Sequence, residues 1–377
     1  MTSDSERPKS AGSNALSRRA FVRTYLGGST FLPLALGNNL ALLGAPLSRT
    51  EKAESKTVST LSGPVRCESL GTTLMHEHVL WFSGPMAANP GHTPIPDDLR
   101  SDTVEFVVSL LNEAARVGIN TIVDVTPQRP MELYQQIAQR SPVNIVPATG
   151  FYRREKLPKW MADIDDEGRM EERMLREATE GMDGTNIRAG IIKVAQQHSP
   201  LSDWEKKVFR AAARVHQKTG LPIATHTGNA PEQFEVLTRS GVDPRRIFFS
   251  HVDVGRKGKP GDQLLSIVKE GSYLEVDTFG QDFYTPWTDL VSFLRSLCDA
   301  GFANRIFISI DSNWHWADGK KVFEGAEAPN FDPNASKRTY AYMVTDAVPA
   351  LLKSGFSKKE IDTFLIENPQ RFFCASD

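Results

Sequence analysis

The strongest constraint on how this chain can fold is a rhythm of short apolar runs, each followed by a longer amphipathic stretch. The runs cover residues 71–75, 121–125, 144–148, 190–194, 222–225, 246–250, 273–276 and 305–310. They are rich in β-branched residues and nearly continuous in apolar character, which indicates strands buried on both faces of a parallel sheet wrapped by helices. The stretches between them carry helix-end chemistry. Ser202 with Glu205 makes a capping box ahead of Trp204, Val208, Ala211, Ala212 and Val215 on one face, and Gly220 and Pro222 stop that helix. Over 102–117, Asp102 and Glu105 open a helix, Val107, Leu110, Leu111 and Ala114 face inward, and Gly118 closes it. Ser357 with Glu360 predicts a last short helix ending before Pro369. Eight such units over roughly 300 residues match an α/β fold of the (β/α)8 TIM-barrel type. A doubly wound open sheet would want a GxGxxG loop after its first strand, and none follows any run. We therefore expect one catalytic domain over 58–377.

Composition narrows the functional classes. At 377 residues, 40% hydrophobic and 24% charged, the chain can bury a full core. Its formal charge of −2, with no long basic run past the N-terminus, gives nucleic acid no footprint. Cys67, Cys298 and Cys374 are too few and scattered for a disulfide framework or a zinc knuckle, so buried or incidental thiols are expected. Residues 1–57 read as a signal segment and linker: Ser17-Arg18-Arg19-Ala20-Phe21-Val22 opens a weakly apolar stretch that runs to Ala45. Paired arginines before such a stretch mark the twin-arginine export route, which implies the export machinery as a partner and a periplasmic or extracellular location. Gly27, Gly28, Pro33, Gly37, Asn38 and Asn39 break the stretch, so no stable membrane anchor is expected.

In a barrel of this kind the chemistry lies at the C-terminal ends of the strands. The first run ends in His76-Glu77-His78, the fourth carries Lys193, the fifth leads into His226, the sixth into His251-Val252-Asp253 and the eighth into Asp311. Four of the eight histidines thus occupy strand ends, which chance placement does not favour. Histidines two apart on a strand point the same way and can grip one ion at about 2.0–2.1 Å. Lys193, flanked by Ile191, Ile192 and Val194, is costly to bury charged. It is either paired with a buried carboxylate or depressed toward neutrality, where it can add CO2 and become a carbamate bridging two divalent ions. The second reading suits the ligand set better. We expect His76, His78, Lys193, His226, His251 and Asp311 to hold two metal ions.

From about residue 58 onward the chain resembles the phosphotriesterase-like family of the amidohydrolase superfamily, the bacterial phosphotriesterases and related lactonases. The resembling pieces are Thr73-Leu74-Met75-His76-Glu77-His78, Gly150-Phe151-Tyr152, Ala189-Gly190-Ile191-Ile192-Lys193-Val194-Ala195, Thr225-His226-Thr227, Ser250-His251-Val252-Asp253, Ser309-Ile310-Asp311 and Glu367-Asn368-Pro369-Gln370-Arg371-Phe372. The resemblance implies the same metal roles for the matching residues, with Lys193 as the carboxylated bridge.

The site suggests two ions, zinc first with cobalt or manganese as alternatives, sharing a hydroxide that attacks a carbonyl or phosphorus centre. Asp311 would bind metal and take or relay the proton, and Asp253 would orient a ligand or pass that proton outward. Where the phosphotriesterases place a histidine, and many of the lactonases an arginine, this chain has Thr278, which cannot relay a proton as imidazole does. Tyr152 matches an aromatic position that lines the lactonase pocket. Trp314 sits with His315, Trp316 and Phe323 in the long stretch from Ser312 to Asn334, where specificity loops of such barrels lie. Tyr152, Thr278 and Trp314 are the candidate substrate contacts for a small molecule. His92, His198 and His216 read as structural or surface residues. Lactone or carboxylic ester hydrolysis is the preferred expectation, phosphotriester hydrolysis the alternative, and an exported binding protein on a decayed barrel the reading from another class. Such barrels often pair through their helices, which allows a homodimer, but no sequence patch marks an interface.

Overall fold

An antiparallel hairpin of β1 (Thr57–Thr60) and β2 (Gly63–Arg66) precedes the main sheet. Eight parallel strands then pair in strict sequence order: β3 (Thr73–Glu77), β4 (Thr121–Asp124), β5 (Asn144–Gly150), β6 (Ile191–Ala195), β7 (Ile223–His226), β8 (Ile247–Phe249), β9 (Tyr273–Val276) and β10 (Ile306–Ile308). The computed structural model describes residues 56–80, 95, 97–226, 228–317, 320–323 and 337–375. The expected export segment therefore lies outside the described residues, as do His92 and much of the stretch after β10. Between β10 and β3 the seam is drawn together by a side chain: Ser309 Oγ accepts the Met75 and His76 amides at 2.9 and 3.0 Å. With that seam the sheet forms a (β/α)8 barrel.

Alternation along the strands sorts the apolar residues into two clusters. Val123, Val146, Ile191, Ala224, Phe248, Tyr273 and Phe307 fill the barrel interior. Ile122, Ile145, Ile192, Ile223, Ile247, Leu274 and Ile306 instead pack outward with the helices. Those helices are α1 (Arg100–Arg116), α2 (Met131–Ala138), α3 (Glu167–Thr179), α4 (Asp203–Thr219), α5 (Ala230–Arg239), α6 (Asp262–Lys269) and α7 (Trp287–Asp299). In α4 the Ser202–Glu205 capping box forms, and Gly220 ends the helix at φ 68°, a left-handed conformation that costs glycine little. The start of α1 differs from expectation: Leu99 precedes it with no side-chain cap, though Val107, Leu110, Leu111 and Ala114 are buried.

Three features overturn the sequence reading. Pro369 does not stop the last helix. Lys358–Asp362 passes through a π-helical turn, Thr363–Glu367, into α8 (Asn368–Cys374), and Pro369 sits in the first turn of α8, where its missing N–H is harmless. Cys67 and Cys374 are not incidental thiols: they form a disulfide with Cα atoms 5.5 Å apart. The partners are 307 positions apart, so nothing local in the sequence reveals the pair. Finally, the stretch after β10 contains a hairpin, β11 (Trp314–Ala317) with β12 (Lys320–Phe323), where only a polar loop was expected. Cys298 remains free, and burial pushes its thiol up to about 12. No described helix is long and apolar enough to cross a membrane.

Candidate metal centre

A register irregularity between Leu74 and Glu77 sets up the site. It breaks the alternation of β3, so that Met75 joins the interior cluster while the next residue, His76, also reaches the mouth of the barrel. The rings of His76 and His78 lie edge to face with centroids 5.5 Å apart. Their Nε2 atoms are 3.5 and 3.2 Å from Asp311 Oδ1. Thr126 Oγ1, 2.7 Å from His78 Nδ1, fixes that ring from behind.

Glu77, between the two histidines, points elsewhere. Its carboxylate accepts the amides of Ile310 and Ser312 at 3.0 and 2.7 Å, the two residues flanking Asp311. This clamp holds Asp311 at φ 47°, a conformation non-glycine residues seldom adopt. His251 has φ 56° and likewise turns inward from the end of β8. Lys193 is fully buried on β6, its Nζ 3.3 Å from the Thr225 carbonyl. Its close fit against β5 needs Gly150: a Cβ there, at φ 128°, would lie 1.9 Å from the Lys193 carbonyl oxygen.

The remaining donors join up. His226 Nδ1 and His251 Nε2 are 3.0 Å apart. Asp277, at the end of β9, lies 3.2 Å from His76 Nδ1 and 2.9 Å from His251 Nδ1, and accepts the His251 amide at 3.1 Å. Sequence reasoning left Asp277 out of the site, although its strand-end position was the same signal used for the other residues. Two donor groups suited to an ion emerge: His76, His78 and Asp311, and His76, His251 and Asp277. Both ring nitrogens of His76 and Oδ1 of Asp311 are buried with no hydrogen-bond partner. Buried polar atoms normally find partners, so donor atoms left bare at the centre of such a cluster fit a divalent cation.

Electrostatics supports the same reading. Burial, then the charges of Lys193 and His251, hold His76 well below the usual imidazole range. His226 is lowered in the same way, by burial first and then by His251. Both rings are therefore neutral at pH 7, the form in which an imidazole can take an ion. Burial would lower His251 too, but the Asp277 carboxylate outweighs it and raises the ring. For Asp311, burial alone would raise the carboxyl, yet neighbouring His78 and the charge of His251 keep it low. Burial pulls Lys193 down to about 8 despite the surrounding carboxylates, which leaves a usable neutral fraction near neutral pH.

The other sequence candidates separate. Tyr152 lies on the site: its hydroxyl is 3.3 Å from His226 Nε2. Asp253 is buried behind it, accepting the Thr278 amide at 3.1 Å and the Thr278 hydroxyl. Burial and neighbouring Asp277 push its carboxyl up to about 7. The Thr278 side chain is thus engaged with Asp253. Trp314 packs edge to face on Phe106 of α1, with centroids 4.8 Å apart, so its ring belongs to the barrel wall. His216 is structural, bonding the Leu221 carbonyl at 2.8 Å, and His198 is exposed.

A buried cluster of histidines, carboxylates and a lysine thus occupies the C-terminal mouth of a (β/α)8 barrel. Residues 56–373 match the model of the phosphotriesterase family, and the chain belongs to that family. It is similar to a phosphotriesterase homology protein of Mycobacterium tuberculosis, at 31% identity over 84% of this chain and 97% of the relative. Among solved structures it resembles the organophosphorus hydrolase of Deinococcus radiodurans, with TM-score 0.74 and 30% identity over 85% of this chain and 98% of that one. It also resembles a protein described as engineered for organophosphate hydrolysis from a weak promiscuous lactonase template. That likeness has TM-score 0.74 and 30% identity, over 84% of this chain and 100% of that one.

Proposed function

We propose that this phosphotriesterase-family hydrolase cleaves lactones or carboxylic esters, using two divalent metal ions held by His76, His78, Lys193, His226, His251 and Asp311. The observation that carries the reading is the set of buried, unpartnered donor atoms on His76 and Asp311. Zinc is the first choice of ion, since neutral imidazoles and carboxylates suit it, with cobalt or manganese as alternatives. When bound, the ions would supply Lewis acidity and ready deprotonation of water near neutral pH.

The chain's own residues supply the rest. Lys193, neutral in part, can attack CO2 through Nζ; the N–C bond forms as one C–O π bond opens and the amine proton leaves to solvent, giving an anionic carbamate that would help hold the ions. Asp311, ionised at neutral pH, can accept the proton of the attacking water through its carboxylate. Tyr152, at the His226 edge, is within reach of a substrate oxygen and can donate a hydrogen bond to it. Thr278, bonded to Asp253, stands where the phosphotriesterases carry a histidine, and a threonine cannot carry a proton outward as imidazole does, which favours lactone or ester over phosphotriester. Phosphotriester hydrolysis is the second reading, supported by the likeness to organophosphorus hydrolase. An intact donor set argues against a decayed, purely binding barrel.

We further propose that the protein is exported. The Cys67–Cys374 disulfide supports that location, because such bonds persist in oxidising compartments. Metal analysis of the purified protein, with lactones and aryl phosphotriesters assayed with and without chelator, tests the proposal. Two ions per chain with chelator-sensitive lactone turnover is the expected result. Faster phosphotriester turnover would reverse the substrate preference, and a metal-free, inert protein would end the enzyme reading.

A further inference from the structure

We propose that Arg153 makes this hydrolase selective for substrates that carry an anionic oxyacid group, such as a carboxylate, on the part remote from the bond to be cleaved. The inference rests on the hydrolase reading above and deepens it. Arg153 follows Tyr152 directly, and its guanidinium carbon stands 5.3 Å from the centroid of the Tyr152 ring. That ring is itself 4.9 Å, centroid to centroid, from His226. The arginine thus shares the Tyr152 ring with His226 of the candidate metal cluster. Its charge is near enough to contribute to keeping the His226 ring neutral, after burial, His251 and Lys193.

The guanidinium is poorly satisfied where it stands. Its Nε is buried without a hydrogen-bond partner. Its ion pair among the described residues is with Glu155, at 3.7 Å, longer than a hydrogen bond, and the Glu155 side chain is 44% exposed. Next door, Arg154 differs: its Nε donates to the Ala162 carbonyl at 3.0 Å and its guanidinium stacks on Trp204, 5.4 Å from the centroid. Arg154 is anchored away from the site, while the Arg153 side chain, 28% exposed, pairs with Glu155 through Nε. A guanidinium fork matches a carboxylate in two parallel charge-assisted hydrogen bonds. Stacking on Tyr152 orders the side chain in advance, which lowers the cost of binding such a group.

The test uses the metal-loaded protein and two chromogenic esters with the same leaving group, 4-nitrophenyl hexanoate and mono-4-nitrophenyl adipate. The expected result is a preference for the anionic ester, carried by KM, falling as salt rises and dropping roughly tenfold in Arg153→Met. Arg153→Lys should restore part of it, the preference being read in each protein as the ratio of the two esters. Equal turnover of the two esters by the unaltered protein, or a preference that survives Arg153→Met, would overturn the inference while leaving the hydrolase reading intact. A binding arm covers the case in which neither ester is cleaved, an outcome that counts against the hydrolase reading instead. Calorimetry of glutarate against pentanoate isolates the second carboxylate, and its gain in affinity should vanish in Arg153→Met. No such gain in the unaltered protein would overturn the inference independently of turnover.

Discussion

At one end of the barrel interior, Phe248 of β8, Tyr273 of β9 and Phe307 of β10 meet Phe372 of α8, with Tyr273 stacked on Phe307 at 4.7 Å and Phe372 edge-on at 5.2 Å from Tyr273. A few residues further along, the same strands carry Ser250, Glu275, Asp277, Ser309 and Asp311, all polar. The floor is apolar, fully packed and covalently stapled by Cys67–Cys374. The mouth holds bare donor atoms and buried carboxylates: Glu275 is pushed well above the usual carboxylate range by burial and by Asp277. Such groups weaken the fold until something outside the chain satisfies them. Stability at one end thus offsets binding chemistry at the other, which predicts that mutations at the two ends fail differently.

The largest contrast should come from Lys193→Ala. We expect loss of most bound metal and about a thousandfold fall in activity, ~4 kcal/mol of transition-state stabilisation. The melting temperature of the metal-free protein should fall less than in a floor variant, because removal of a costly buried amine partly offsets its cavity and its lost attraction to the carboxylates. Metal analysis with calorimetry reads both, and full retention of metal and activity would sink the binuclear proposal. At the floor, Phe372→Ala should do the reverse, costing about 3–5 kcal/mol of stability through the cavity it leaves. Metal content per folded molecule should stay constant. Chemical denaturation with metal analysis of the native fraction measures this, and a selective loss of metal would show that the two ends are coupled. Cys374→Ala follows, at about 2–4 kcal/mol, since the bond closes a loop of 307 positions. Arg246 softens the effect by donating to the Phe372 carbonyl from the barrel side. Thermal melts with and without reductant should converge in the variant.

The uneven legibility of the sequence follows the same division. Helix ends such as Ser202–Glu205 and Gly220 are decided by residues within a few positions of each other, so they could be read directly. Strand-end histidines were legible because a barrel delivers every strand end to one mouth. What escaped depends on contacts distant in sequence or on backbone detail. Cys67 and Cys374 meet only when the barrel closes. The irregularity in β3 that brings His76 inward has no residue signature, and neither do the left-handed conformations of His251 and Asp311. Glu77 is hidden differently: as the middle residue of the His-x-His pair it reads as pointing away, yet its two hydrogen bonds bracket Asp311. Thr278 was assigned to substrate from its position alone, whereas buried Asp253 beneath it claims the hydroxyl.

The outer helices supply the smallest and most pH-sensitive effect. Glu171 of α3 bonds Lys218 at 2.6 Å and is bridged to Arg214, while Glu167 takes Arg210 at 2.6 Å and shares Arg214. Burial would raise both carboxyls, but the cations of α4 outweigh it and hold them low. A lowered folded-state value means stabilisation that is present above the unfolded pKa, about 4.3 for Glu, and lost as pH falls through the folded value. Glu77 and Glu275 have the opposite sign. Burial raises their folded-state values, so acid relieves a strain at the mouth while it loosens the α3–α4 ladder. The ladder must therefore be read by difference. Glu171→Gln should cost about 0.5–1 kcal/mol at pH 7, given half-exposed cations and salt screening. A gap from the unaltered protein that stays constant with pH would mean that Glu171 contributes packing rather than charge.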